Sequence, residues 1–507
     1  MKHKIFTASL LALSLLTTGC GGTANTDNTG TNIASSEESG TEATYTEAVT
    51  PLVTSEVATT FTTSSQTSAP EETAAPTSEP EVQTSPKSTE TQQHTQADTQ
   101  QIVQQQPEQH NTEPTVIVTQ VLEETPTVST TVETSTTAIT VTTPVTTLPA
   151  TTTSFRNNPL PKEVLDNMTL KEKVCQMFIV TPEALTGISP MTQVGEGTQN
   201  AIEDYPVGGI IYFAKNLTSK EQTRQMISTT QNFAREACGI GLFTAVDEEG
   251  GQVARCAQKL GTTKFESMAH YGKLNDKKTA YNVGSTIAKD LKGLGFNVDF
   301  APVADINICS ANELGDRIFS SDPQVVADMA SYVTLGLQDE GVCAALKHFP
   351  GLGAEKGNTH TNSTVVIDRT LDELRDTEFI PFSEGIKVGA DFVLVGHQIV
   401  TGFGDDLPCD LSYTAVTGML RKELGFEGIA ITDSQQMNTI SNVYTSGEAS
   451  KLSIKAGIDI ILMPVDYREA VNAVCEAVRN GEISEKRINE SVMRILRKKY
   501  ALGLLKK

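Results

Sequence analysis

The sequence predicts a (β/α)8 barrel behind a long N-terminal stretch that does not fold. Three observations carry that expectation. Residues 21–154 hold 39 Thr in 134 positions and 17 acidic residues against Lys87 alone. Such a composition buries too little apolar surface to offset chain entropy. From residue 155 onward, eight short β-branched or apolar runs alternate with amphipathic stretches. Several runs are apolar without alternation, as expected of strands covered on both faces. Four runs end in polar groups: the third in Asp247, the fifth in Lys347-His348, the sixth in His397 and the seventh in Asp433. Functional groups of a barrel gather at the C-terminal ends of its strands. A doubly wound open sheet is the alternative that periodicity does not separate.

The runs, in order, are 175–180, 209–213, 242–247, 298–302, 342–348, 392–397, 429–433 and 458–463. Helices are expected between them over 217–237, with Thr218 and Ser219 as caps, and over 323–340, following Ser321-Asp322. Further helices are expected over 371–388, 413–424, 447–456 and 466–480, the last stopped by Gly481. A closing helix over 484–500 becomes basic toward its end.

The N-terminus reads as a targeting segment. Lys2 and Lys4 precede an apolar stretch from Ile5 to Leu16 that is too short to span a bilayer. Leu16-Thr17-Thr18-Gly19-Cys20 follows, the pattern of a lipoprotein signal in which Cys20 is acylated. Thr17 stands where Leu is usual, and ordinary secretory cleavage with Cys20 incidental is the alternative. Either way the protein is expected to be exported. Acylation implies an anchor to the outer face of the membrane, with 1–20 as signal peptide, 21–154 as tether and 155–507 as the folded unit. A coil of the tether's length has an end-to-end distance on the order of 60 Å.

Composition also excludes functions. A net charge of -23 without a basic cluster makes nucleic acid a poor partner. After residue 20 there is no apolar run long enough for a membrane-spanning helix. The seven cysteines beyond Cys20 are odd in number and include no CxxC, so at least one thiol stays free. None forms a Cys/His pair with zinc-ligand spacing. No metal, nucleotide or flavin motif is visible, and no cofactor is expected. Gly351 and Gly353 lack the third glycine of a phosphate cradle.

Four motifs carry a family resemblance. They are Val246-Asp247-Glu248-Glu249-Gly250-Gly251-Gln252-Val253, Asp316-Arg317-Ile318-Phe319-Ser320-Ser321-Asp322-Pro323, Lys347-His348-Phe349-Pro350-Gly351-Leu352-Gly353 and Ile431-Thr432-Asp433-Ser434. In this order they resemble glycoside hydrolase family 3, in its bacterial β-N-acetylhexosaminidase branch, over essentially all of 160–507. The resemblance implies that Asp433 is the catalytic nucleophile. It implies that Asp247, Arg317, Lys347 and His348 hold the sugar. The acid/base loop of this branch reads G-H-G-D-T-x-x-D-[ST]-H, and its last His is the proton donor. Here that stretch runs from Gly351 to His360 with the spacing kept. Leu352 replaces the first His, and Asn358 replaces the Asp that pairs with the catalytic His.

The chemistry is consistent with the residue types alone. A retaining glycosidase needs one carboxylate to attack the anomeric carbon and a second group to protonate the leaving oxygen. A carboxylate fixed at a strand end suits the first role. A histidine with an unperturbed pKa of ~6.5 suits the second. Asn358 can accept a hydrogen bond from His360 but supplies no charge, and Glu355 is the nearby acid able to substitute. The expected function is an exo-acting β-N-acetylhexosaminidase acting as a monomer on muropeptides or related oligosaccharides. The alternatives are a non-catalytic wall-binding lipoprotein and a family 3 β-glycosidase with another sugar preference. Enzymes of the latter kind usually take their acid/base from a second domain, and none is expected after the final helix.

Overall fold

The computed structural model describes residues 158–356 and 365–505. The signal, Cys20 and the Thr-rich stretch lie outside the described residues, as do Asn358 and His360.

All eight expected runs form strands: β1 (Phe178–Val180), β2 (Gly209–Ile211), β3 (Phe243–Val246), β4 (Val298–Asp299), β5 (Cys343–Phe349), β6 (Phe392–Val395), β7 (Ile429–Ser434) and β8 (Ile460–Leu462). They pair in parallel in chain order, and β8 returns to β1 through Phe178 opposite Ile461, closing the barrel. The open-sheet alternative is thereby excluded. Nearly all strand residues are buried, since side chains fill the barrel and helices cover its outside.

The helices begin and end where their caps dictate. Lys220–Cys238 starts on Ser219, whose side chain accepts the Gln222 N–H, and stops at Gly239 with φ 74°. A long helix over Lys277–Leu294, capped by Asp276, was not expected from the sequence. It buries an apolar stripe of Ala280, Val283, Ile287, Leu291 and Leu294, and small residues let it approach Pro323–Asp339 closely. A Cβ on Gly284 would lie 2.2 Å from the Val333 carbonyl oxygen, and one on Gly336 would lie 2.2 Å from that of Tyr281. The two backbones are in contact there.

Two expected helices differ in form. The 371–388 segment is broken into Leu371–Asp376 and Phe379–Lys387. Pro381 has no N–H for the Thr377 carbonyl and its ring crowds that oxygen, so the helix cannot run through. Residues Thr414–Glu423 form a wide π-helix rather than an α-helix. The seven cysteines of the described residues are all free thiols.

The N-terminal end of the barrel is closed by Glu485–Ala501, whose Lys499 is fully buried with Nζ 2.7 Å from Gln176 Oε1. The opposite, C-terminal end carries the loops that form the site.

Candidate active site

The strand β3 runs directly into Asp247 and a small hairpin, Glu248–Gly250 paired with Val253–Ala254. Alternation along it separates its acids. Asp247 and Glu249 line the cavity at the barrel mouth, whereas Glu248 does not. The Glu248 carboxylate accepts the N–H groups of Cys256 at 2.7 Å and Ala257 at 2.9 Å. Its own N–H donates to Asp299 Oδ1 at 2.9 Å. Burial pushes Glu248 up to about 7 and Asp299 well above the usual carboxylate range. The two acids beneath the hairpin are thus biased toward neutrality.

The paired cations come from β5 and from the loop after β4. Lys347 Nζ lies 2.6 Å from Glu249 Oε1 and 3.1 Å from Asp247 Oδ1. Arg317 grips Glu249 bidentately, Nε to Oε2 and one Nη to Oε1, both at 2.8 Å. Burial alone would raise the Glu249 pKa, but Lys347 and Arg317 overcome it and hold the carboxyl at about 2. Glu249 is therefore a fixed anion that spaces the two cations. His348 is held by Asp305, whose Oδ2 lies 2.7 Å from its Nδ1 and 3.0 Å from its backbone N. Asp305 Oδ1 accepts the Leu352 N–H at 2.6 Å. With Nδ1–H engaged, Nε2 is the ring nitrogen left for a ligand.

Asp433 lies on β7 where the pairing with β8 shifts register between Ile431 and Ser434. Thr432 Oγ1 fills the gap by accepting the Leu462 N–H at 2.9 Å. Asp433 Oδ1 accepts the Ser434 N–H at 2.7 Å. Burial works against its ionisation. The attraction of His348 and His397, the Ser434 N–H and Lys347 outweigh burial and hold the carboxyl below its usual range. Asp433 is thus a carboxylate at neutral pH.

These groups share one cavity of about 490 Å3, lined by Asp247, Glu249, Arg317, Lys347, His348 and Asp433. Its inner wall is apolar, formed by Ile211, Phe300, Leu394 and Leu462. Such a cavity, apolar with a few convergent polar groups, is of the size that binds small ligands. Arg255 also reaches it, and its Nε has no hydrogen-bond partner among the described residues.

A closed parallel barrel with an ionised carboxylate and paired acids and bases at its C-terminal mouth is the architecture of a barrel enzyme, glycoside hydrolases among them. The family model "Glycosyl hydrolase family 3 N terminal domain" matches residues 169–498, and the chain belongs to that family. The chain is 31% identical over 338 residues to Beta-hexosaminidase A of Pseudoalteromonas piscicida, covering 62% of this chain and 56% of that protein. It is 31% identical over 263 residues to Beta-hexosaminidase of Nitrosomonas eutropha, covering 51% and 73%. Among solved structures, the family 3 beta-N-acetylglucosaminidase of Paenibacillus sp. str. FPU-7 matches with TM-score 0.62 and 33% identity, covering 66% of this chain and 63% of that one. Beta-N-acetylhexosaminidase of Beutenbergia cavernae matches with TM-score 0.59 and 27% identity, covering 66% and 99%. The chain thus spans somewhat over half the length of the Pseudoalteromonas protein and under two thirds of the Paenibacillus chain.

Five of the residues expected from the sequence, Asp433, Asp247, Arg317, Lys347 and His348, come together in the cavity. His360, Asn358 and Cys20 lie outside the described residues. Sequence reasoning gave no role to Glu249, Asp305, Arg255 or Asp410. It expected His397 to share the site with the other strand-ending groups, but His397 is fully buried and does not line the cavity. A signal existed for Asp305, an acid inside the otherwise apolar stretch 300–306.

Proposed function

We propose that this chain is an exo-acting retaining β-N-acetylhexosaminidase, releasing N-acetylglucosamine from muropeptides or related oligosaccharides through a glycosyl-Asp433 intermediate. The observation that carries it is the ionised Asp433 carboxylate, facing a cavity that is also lined by Asp247, Arg317, Lys347 and His348, groups able to hydrogen-bond hydroxyls. In the first step a carboxylate oxygen of Asp433 bonds to the anomeric carbon while the bond to the leaving oxygen breaks. The leaving oxygen takes a proton from His360. In the second step His360 removes a proton from water, the water oxygen bonds to the anomeric carbon, and the bond to Asp433 breaks.

Support for His360 comes from its motif and from the anchoring of the chain on either side of it. Before it, the Leu352 N–H is tied to Asp305, and the Cys309 N–H donates to the Gly353 carbonyl at 2.9 Å. After it, the Val365 carbonyl accepts the Ile399 N–H at 2.9 Å, and Val366–Ile367 pairs with Ile399–Val400. The sugar preference rests on the relatives, which are named hexosaminidases and an N-acetylglucosaminidase.

The test is hydrolysis of 4-nitrophenyl N-acetyl-β-glucosaminide beside 4-nitrophenyl β-glucoside, with Asp433→Asn in parallel. The chain should prefer the first substrate, and the variant should lose about 10³-fold or more in kcat. Turnover that survives Asp433→Asn, or an inactive folded wild type, contradicts the reading. We also propose export with acylation at Cys20, the 21–154 tether separating anchor from catalytic unit. Cys20→Ala should then move the protein from the membrane fraction to the medium.

A further inference from the structure

Beside the nucleophile strand stands a buried pair that the proposed chemistry does not use. His397 and Asp410 follow β6, and both side chains have 0% exposure. Neither lines the cavity. The loop carrying Asp410 folds back on the end of β6: the Asp410 N–H donates to the Gly396 carbonyl at 3.3 Å, and the Cys409 N–H to that of Gln398 at 2.9 Å. This places Asp410 Oδ1 at 3.0 Å from His397 Nδ1. The other ring nitrogen, Nε2, lies 2.9 Å from the Ser434 carbonyl oxygen.

We propose that His397 and Asp410 form a positioning ion pair that fixes the Ser434 segment and holds the Asp433 carboxylate in its ionised, attacking form. The inference rests on the reading of Asp433 as nucleophile. A backbone carbonyl can only accept, so Nε2 must carry a proton. Nδ1 faces a carboxylate, and a proton on it completes a cation between two acceptors. Asp410 Oδ2 has no hydrogen-bond partner among the described residues, so compensation of Asp410 falls to the His397 ring. Ser434 is then held from both sides, its carbonyl by His397 and its N–H by Asp433 Oδ1. The ring's charge also acts directly on Asp433.

Burial of the ring opposes its charge, but Asp410 and the nearby Asp433 and Ser434 carbonyl raise it to about 9. The groups facing the pair are few. Asp433 and the Ser434 carbonyl approach the ring from β7, and Asp410 from the loop after β6. The Cys409 thiol and Tyr444 stand near Asp410, and Lys347 and His348 of β5 act on Asp433. A ring that has lost Asp410 reverts toward neutrality at working pH while Nε2–H still reaches Ser434. Asp433 then loses a neighbouring cation and protonates more readily.

The test is the pH profile of kcat/KM for Asp410→Asn, with His397→Gln beside it. The acid limb should move upward by about half to one pH unit, so that kcat/KM falls about three- to tenfold at pH values below the wild-type limb and less than about twofold at pH 5. KM at pH 7.5 should stay within about twofold, since neither residue lines the cavity. A purely structural role would lower melting temperature and leave the limb in place. A folded Asp410→Asn variant whose acid limb coincides with wild type overturns the inference. Should the variants fail to fold, wild-type protein labelled with 15N-histidine decides. A ring protonated on both nitrogens at pH 8 supports the pair, and its absence overturns it. A wild type without glycosidase activity would instead sink the reading of Asp433 and leave the 15N signature to be judged alone.

Discussion

Replacing Glu249 by Gln removes one charge while keeping shape, and its cost can be worked from the structure. Glu249 is 4% exposed and bridges Lys347 at 2.6 Å and Arg317 at 2.8 Å. Its carboxyl is lowered from 4.5 to about 2. At about 1.4 kcal/mol for each tenfold change, that depression is worth about 3 kcal/mol at neutral pH. Breaking a buried pair by removing one partner costs about 3–5 kcal/mol, which agrees. The sign follows from the direction. A depressed folded pKa gives stability that is fully present above the unfolded value of 4.5 and is lost as pH falls toward 2. Urea denaturation of wild type and Glu249→Gln should show a gap of about 3 kcal/mol at pH 7, with more than half of it gone by about pH 3. KM should rise as well, since Lys347 and Arg317 lose the anion that spaces them. A gap under about 1 kcal/mol at pH 7, or one equally large at pH 3, would refute this account of the charge network.

Three further outcomes are expected. Asp305→Ala should cost about 2–4 kcal/mol, because the backbone N–H groups of His348 and Leu352 and the His348 ring all lose their acceptor, and KM should rise; calorimetry and steady-state kinetics check both. Gly353→Ala should damage activity more than stability, because a Cβ there would lie 1.9 Å from the Ile306 carbonyl oxygen and must displace the chain leading to His360; kinetics with melting curves separate the two effects. His360→Ala should slow natural disaccharides by about 10²-fold or more and 4-nitrophenyl glycosides much less, because a good leaving group needs no proton; equal losses on both substrates would remove His360 from the acid role.

The strands were legible because parallel strands covered on both faces show as continuous apolar runs, and 429–433 or 392–395 admit little else. The helix over Lys277–Leu294 was readable in Ala280, Val283, Ile287, Leu291 and Leu294, which recur at helical spacing and are buried, and in Asp276 as its cap. The break at Thr377 was readable in Pro381, whose missing N–H stops a helix upstream. In the site, residues that end strands announced themselves: Asp247, Lys347, His348 and Asp433 interrupt apolar runs. Their supports did not. Asp410 lies 13 positions after His397 in a loop with no period, and only the fold-back onto Gly396 brings the two together. Glu249 looks like any acid of its motif until the hairpin turns it toward the cations of β5 and the Arg317 loop.

The central claim is that Asp433 forms a covalent bond to the sugar. A 5-fluoro glycoside of the preferred sugar, which keeps the 2-acetamido group and carries a good leaving group, should inactivate the enzyme by trapping that intermediate. Digestion and mass spectrometry should then find the adduct on the peptide containing Asp433, and Asp433→Asn should take up no label. An adduct on Asp247 or Glu249, or full activity in the presence of the inhibitor with no adduct anywhere, would contradict the account.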